Sequence, residues 1–313
     1  MKKENSILKV LAYFNQFNYP LTKEEIVFFL DQKISSLELS SSLKNLKDWQ
    51  LIFQAGKFYS LQDEASLYER RLKGNMNAQP LLAKADKISK FLFKFPFVEG
   101  VFVSGSLSKN FASEGADIDF FIITKENRLW IARTFMHIFK KLSFLFGKED
   151  LFCMNYYIDN KALKIEEQNE FTATEIFTLI PACGNEIVSS FYKANNWASI
   201  YYPNYLLKKI EPANKPKENI IKKISEMIFK NSFGNWLDNF LMKLTSKRWK
   251  EKEEKKQTSK SGRRIGLKAG KHFCKPNPDF FQKKLLTKYF IQLNELTKKL
   301  EKIYDTEKSA FLN

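Results

Sequence analysis

The chain has 313 residues, 44% hydrophobic and 15% aromatic, with three cysteines and a formal net charge of +17. That length supports a sizeable core and two or three domains, and the composition excludes a disordered chain. No apolar run approaches the ~20 residues of a membrane span. The start MKKENSILKVLAYF reads as an amphipathic helix without a small-residue cleavage site. Cys153, Cys183 and Cys274 are odd in number and scattered, which argues against a disulfide framework and for a reducing, cytoplasmic setting. His137 and His272 are the only histidines, leaving little room for a zinc site or a Ser-His pair, and the His272-x-Cys274 step has no companions.

Residues 1–62 read as one unit. Ile7, Leu8, Val10, Leu11 and Phe14 form a helical stripe that stops before Asn18-Tyr19-Pro20. Thr22 with Glu25, and Ser35 with Glu38, are capping boxes that open a second and a third helix. LIFQAGKFYSL then predicts two short strands around Ala55-Gly56. Three helices and a hairpin resemble a winged-helix domain, a fold that often lays its third helix in the DNA major groove. Here that helix carries Glu38, Lys44, Lys47 and Asp48, which sum to zero, whereas a DNA reader presents a basic face. Packing, dimerisation or orienting a substrate is therefore the expected role.

Residues 63–95 predict a helical connector with Leu67, Leu72, Leu81, Leu82, Ala85, Ile88, Leu92 and Phe95 inward and a break near Pro80. Arg70 and Arg71 are expected on its solvated face. Residues 96–165 follow as strand, turn, strand, helix and strand, a mixed α/β pattern. PFVEGVFVSGS is a strand running into a glycine turn, and DIDFFIIT is the next strand. Asn127 is expected to cap a helix closed by Gly147, and LFCMNYYID is the third strand.

Strand alternation places Asp117 and Asp119 on one face, their Cα atoms about 6.6 Å apart. Carboxylates that close raise each other's pKa unless a cation neutralises them. A divalent metal meets that need, and such a pair holds two ions. Mg²⁺ suits oxygen ligands and keeps water or phosphate in its shell. Gly105 lets backbone N–H groups approach phosphate closely, and Ser106 adds a hydroxyl donor.

Gly105-Ser106 followed by Asp117-Ile118-Asp119 resembles the signature of the polymerase-β-like nucleotidyltransferase superfamily. The resemblance implies transfer of a nucleoside monophosphate from an NTP such as ATP to an acceptor, which the sequence does not name. It implies that Asp117 and Asp119 hold two Mg²⁺ ions and that Gly105 and Ser106 bind the β- and γ-phosphates. Lys109 is placed to reach a phosphate, or is a solvated lysine. The family's third carboxylate comes from a neighbouring strand, which here is LFCMNYYID. Alternation puts Cys153, Asn155, Tyr157 and Asp159 on one face of it. Asn155 occupies the central position as a neutral metal ligand, and Asp159 at the strand's end is the alternative. Ala116 stands where the family often has serine. These departures leave a second reading open, a nucleotide-sensing or nucleic-acid-binding regulator with a catalytically weak transferase domain.

Residues 166–313 are expected to be helical, interrupted by a basic loop over 243–278. Ile220, Ile224, Met227, Ile228, Trp236 and Phe240 belong to one long apolar stripe, expected to face a core or partner helix. From Lys243 to Lys275 there are thirteen Lys or Arg against three Glu, a net +10. That segment is either a contact for RNA, DNA or a phosphate-rich substrate, or a solvated loop. The expected fold class is α/β (α+β): a small mixed-sheet nucleotidyltransferase core, an N-terminal winged helix and a C-terminal helical region.

Overall fold

The computed structural model describes residues 1–143, 153–204, 220–258, 266–276 and 280–312. The N-terminal unit comprises α1 (Lys2–Asn15), β1 (Leu21–Thr22), α2 (Lys23–Phe29), α3 (Ser36–Asp48), β2 (Phe53–Ala55) and β3 (Phe58–Ser60). Both capping boxes form: Thr22 and Ser35 accept from the amides of Glu25 and Glu38, whose carboxylates return to the cap amides. An N-cap residue has extended backbone, and here that geometry also lets Leu21–Thr22 pair with β3. The hairpin expected from sequence is thereby a three-stranded antiparallel sheet, in the order β1-β3-β2.

Helix α4 (Ala65–Leu92) runs without interruption through Pro80, where the sequence predicts a break. Proline removes one amide and leaves the carbonyl four residues earlier without its partner. That residue, Met76, lies on the exposed side of the helix, where an unpaired carbonyl costs less than in the core. Two further expectations change. Leu72 faces solvent, and Arg71 is buried. The Arg71 guanidinium stacks 3.8 Å from the centroid of the Tyr19 ring and donates to the Pro20 carbonyl (2.6 Å) and the Glu25 carboxylate (2.7 Å). Planarity and five donors suit arginine to such a site. It fastens α4 to the N-terminal unit.

The central sheet is built from β4 (Val98–Val103), β5 (Asp119–Thr124), β6 (Cys153–Asp159), β7 (Ile180–Cys183), β8 (Leu267–Ala269) and β9 (Phe273–Pro276). Its order is β7-β4-β5-β6-β9-β8, and β5 with β6 is the parallel pair among antiparallel neighbours. The crossover between β5 and β6 carries α5 (Leu129–Ser143). The helices α6 (Glu170–Thr178), α7 (Asn185–Ala194), α8 (Ile220–Phe229), α9 (Ser232–Glu254) and α10 (Phe281–Leu312) complete the described elements.

The C-terminal portion is thus not helical throughout. Ile180–Cys183, expected inside a helix, forms the edge strand β7, and part of the expected basic loop is the β8–β9 hairpin. Both are short edge additions, too brief to impose a period-2 pattern, and Pro181 is tolerated because edge strands have amides to spare.

Sheet pleating sends Phe102, Phe121, Ile123 and Ile158 to one face, where they join a cluster continuous with the N-terminal unit, α6, α7 and α10. Phe120, Ile122, Met154 and Tyr157 face the other side, against α4, α5 and α9. Asn127 does not cap α5; it sits in left-handed backbone (φ 54°). The first amides of that helix, Trp130 and Ile131, both donate to Asp238 Oδ1 on α9 at 2.9 Å. A cap from a distant helix leaves no local sequence signal. Gly147 lies outside the described residues.

Candidate active site

β4 ends at Val103 and the chain turns sharply through Ser104, Gly105 and Ser106 into a single 3₁₀ turn, Leu107–Lys109. Gly105 has φ +66°, and a Cβ there would stand 2.3 Å from Asp119 Oδ2 and 3.1 Å from Asp119 Cβ. Glycine is therefore required twice, for its backbone and for its lack of volume. The Ser104 amide donates to the Asp119 carbonyl (2.9 Å), which seals the turn against the first residue of β5. Ser108 Oγ and Lys109 Nζ both donate to the Gly105 carbonyl, at 2.8 and 3.2 Å. Ser106 is exposed at the apex.

The turn is also held from outside. Asn75 and Gln79 on α4 donate to the carbonyl and side-chain oxygen of Asn110, at 2.5 and 3.0 Å. Gly74 lies so close to the Phe111 ring that a Cβ would fall 2.2 Å from it. The Tyr19 hydroxyl of the N-terminal unit donates to the Lys109 carbonyl.

Asp117 is not on the strand. It lies exposed in the loop that enters β5, whereas Asp119 opens β5 and is half-buried. The two still sense each other. Burial first, and the Asp117 charge second, push the Asp119 carboxyl up from 3.8 to about 6. The Cys153 thiol, paired opposite Asp119 across the parallel ladder, donates to that carboxylate and opposes the rise. Burial raises Cys153 to about 12, so it stays a protonated donor at neutral pH.

Glu175 on α6 adds a further negative charge felt by Asp119. It pairs with Lys109 Nζ at 2.9 Å. Sequence inspection passed over Glu175. It is 56 residues from Asp119, and the one available signal is a carboxylate beside the inward Ala173, Ile176 and Phe177. The structure thus brings Gly105, Lys109, Asp117, Asp119, Cys153 and Glu175 together.

The two candidates for a third strand carboxylate fare differently. The β5–β6 register shifts between the Phe120–Met154 and Phe121–Tyr156 pairs, so Asn155 is the extra residue of a bulge, and its side chain is outside the described part. The bulge cancels the expected alternation, because Met154 and Tyr157 share one core cluster while Tyr156 and Ile158 face the other. Asp159 is fully buried at the far end of β6, opposite Thr124. Its carboxylate accepts from the amides of Asn127 (2.9 Å) and Lys161 (3.1 Å) and bonds His272 Nδ1 (2.7 Å). Asp159 is a structural anchor away from the turn.

Among the described residues no group of three or more His, Cys, Asp or Glu is arranged to hold a metal ion. Two oxygen donors that repel each other nevertheless suit Mg²⁺, which takes few protein ligands and completes its shell with phosphate and water. The basic segment is divided between the end of α9, residues 259–265 outside the described part, and the β8–β9 hairpin. Arg263 and Arg264 lie in that undescribed part, while Lys268 and Lys275 both pair with Glu167, at 2.7 and 2.8 Å.

Residues 83–174 match the family described as a nucleotidyltransferase domain. The matched span holds Gly105, Ser106, Lys109, Asp117, Asp119 and Asn155, and stops one residue before Glu175. No curated protein and no solved structure matches the chain.

Proposed function

We propose that this nucleotidyltransferase domain moves a nucleoside monophosphate from an NTP to an acceptor, with pyrophosphate leaving. The observation that carries this reading is the approach of Gly105 to Asp119. A turn that can present backbone N–H groups to phosphate is pressed against a carboxylate whose neighbour, Asp117, also carries negative charge. Asp117 and Asp119 would hold Mg²⁺, which neutralises phosphate charge when bound. The exposed Ser106 hydroxyl and the turn's amides would orient the β- and γ-phosphates. At neutral pH Asp119 is ionised, and the Cys153 thiol fixes its carboxylate by donating to it. A phosphate arriving at the turn would compete for Lys109, and the Glu175 carboxylate would then be released to accept the acceptor's proton. Positioning and charge compensation supply most of the rate in this kind of transfer.

Incubation with Mg²⁺ and NTPs labelled at the α-phosphate tests the proposal. Label should move to an acceptor from a cell extract. Asp117→Asn and Asp119→Asn should each lower that rate by about 100-fold or more, equivalent to about 3 kcal/mol of lost charge stabilisation. Equal NTP affinity with and without Mg²⁺ would sink it.

The second reading is a nucleotide-sensing regulator. The absence of a three-carboxylate cluster among the described residues favours it, and NTP binding without pyrophosphate release would establish it. The element order α1-β1-α2-α3-β2-β3 supports reading residues 1–62 as a winged helix. The exposed side of α3 offers Ser40, Ser41, Lys44 and Lys47, few cations for a DNA backbone, so we assign that unit to bracing the turn through Tyr19.

A further inference from the structure

We infer that the outer faces of α8 and α9 form a docking surface for an anionic lipid bilayer. These helices were expected to bury a stripe, and they leave most of it in solvent. On α8, Ile220, Ile221, Ile224, Met227 and Ile228 are exposed, and on α9 so are Phe233, Trp236 and Phe240, all between 48% and 73%. Soluble chains seldom concentrate so many large apolar side chains on two consecutive helices.

The charge on these helices is one-sided up to the last turn of α9, where Glu251, Glu253 and Glu254 are exposed. Between residues 220 and 250 the exposed cations are Lys223, Lys230, Lys243, Lys247, Arg248 and Lys250. The two acids of that span are turned inward. Asp238 is buried as the cap of α5, and Glu226 pairs with Lys125 and accepts from the Phe97 amide. On α9 the exposed positions 233, 236, 240, 243, 247 and 250 recur at helical spacing, so the aromatic stripe continues directly into a lysine stripe on one face. An apolar face flanked by cations, with the exposed acids Glu251, Glu253 and Glu254 confined to the last turn of α9, fits a surface that offers hydrocarbon and negative charge together.

Other anionic or apolar occupants fit less well. A second copy would set these lysines against their own equivalents. Single-stranded nucleic acid needs free ring faces. Phe233, Trp236 and Phe240 stack on one another, with interplanar angles of 25° and 10°, and the five aliphatic side chains of α8 offer a base nothing to stack on. No described helix is long and apolar enough to cross a membrane, so the contact would be peripheral. Both helices lie on the sheet face served by α5, away from α6 and Glu175.

Vesicle co-sedimentation of the full chain tests the inference, with phosphatidylcholine vesicles against vesicles one-third phosphatidylglycerol. Binding to the anionic vesicles should exceed binding to the neutral ones by roughly tenfold or more and weaken with salt. Ile224→Ser/Trp236→Ser/Phe240→Ser and, separately, Lys243→Glu/Lys247→Glu should each lower it by roughly tenfold or more, with Mg²⁺-NTP affinity unchanged as the check of folding. Brominated lipid should quench the wild-type fluorescence and quench Trp236→Phe less. The inference is overturned by absent binding to anionic vesicles, or by undiminished binding of the serine variant. It is equally overturned if the serine substitutions abolish self-association or oligonucleotide binding while vesicles are never bound.

Discussion

Asp119 sets the behaviour of the site at the level of single residues. Its carboxyl titrates near 6 when folded and near 3.8 otherwise, so between those values the folded chain holds more protons than the unfolded one. Stability therefore falls as pH rises through that window, and the loss is complete above it. Asp119→Asn removes the penalty and should stabilise the fold at pH 7 by up to about 3 kcal/mol, with no gain well below pH 4. Urea unfolding at both pH values measures this, and a destabilised variant at pH 7 would make the carboxylate structural. The same titration should govern ligand binding. Mg²⁺-NTP affinity should climb as pH passes 6 and level off above it, with proton release near pH 6 seen by calorimetry in buffers of different ionisation enthalpy. Gly105→Ala should cost at least about 1 kcal/mol for its left-handed backbone alone. The added methyl would also displace the Asp119 carboxylate, so Mg²⁺-NTP binding should fall with stability rather than separately from it.

Among the elements, α5 depends on a residue that its own sequence does not contain. Asp238→Ala removes the acceptor for the Trp130 and Ile131 amides and leaves them buried beside α9. Loss of an N-cap costs about 1–2 kcal/mol, and Asp238→Asn, which keeps one acceptor oxygen, should recover most of it in a thermal melt. The helix starts of α2 and α3 contrast with this, because their capping boxes are local and were readable directly from Thr22, Glu25, Ser35 and Glu38. β7, β8 and β9 show the converse limit. Their three or four residues carry no periodic signal, and pairing with β4 and β6 makes them strands.

At the scale of the whole molecule, the N-terminal unit is part of the same apolar cluster as α6, α7 and α10. Trp49 Nε1 donates to Glu307 on α10 (2.8 Å), and Arg71 ties α4 to Pro20 and Glu25. The unit and the central-sheet core should therefore unfold together, in one transition seen by both tryptophan fluorescence and far-UV circular dichroism. Arg71→Met should lower stability by about 1–3 kcal/mol by stranding the buried Pro20 carbonyl and unpairing the half-buried Glu25 carboxylate, and should weaken NTP binding through the Tyr19–Lys109 contact. Two separated transitions would show that the shared core does not couple them.

The sequence by itself determined whatever rests on neighbours in the chain. The capping boxes, the glycine turn, the apolar strands beside it and the Asp117/Asp119 pair are local patterns, each enforced within a few residues by backbone geometry, side-chain periodicity or charge. Tertiary structure decided what depends on partners far along the chain. Asp117 leaves the strand although alternation placed it there, and a bulge at Asn155 reverses the face of every later residue in β6. Folding also brings Glu175 to Lys109 across 66 residues, and takes Asp159 out of the site by burying it with Asn127 and His272. A carboxylate costs too much to bury without donors, so where each one lies is settled by which amides and cations the fold carries to it, a distribution that no local pattern encodes.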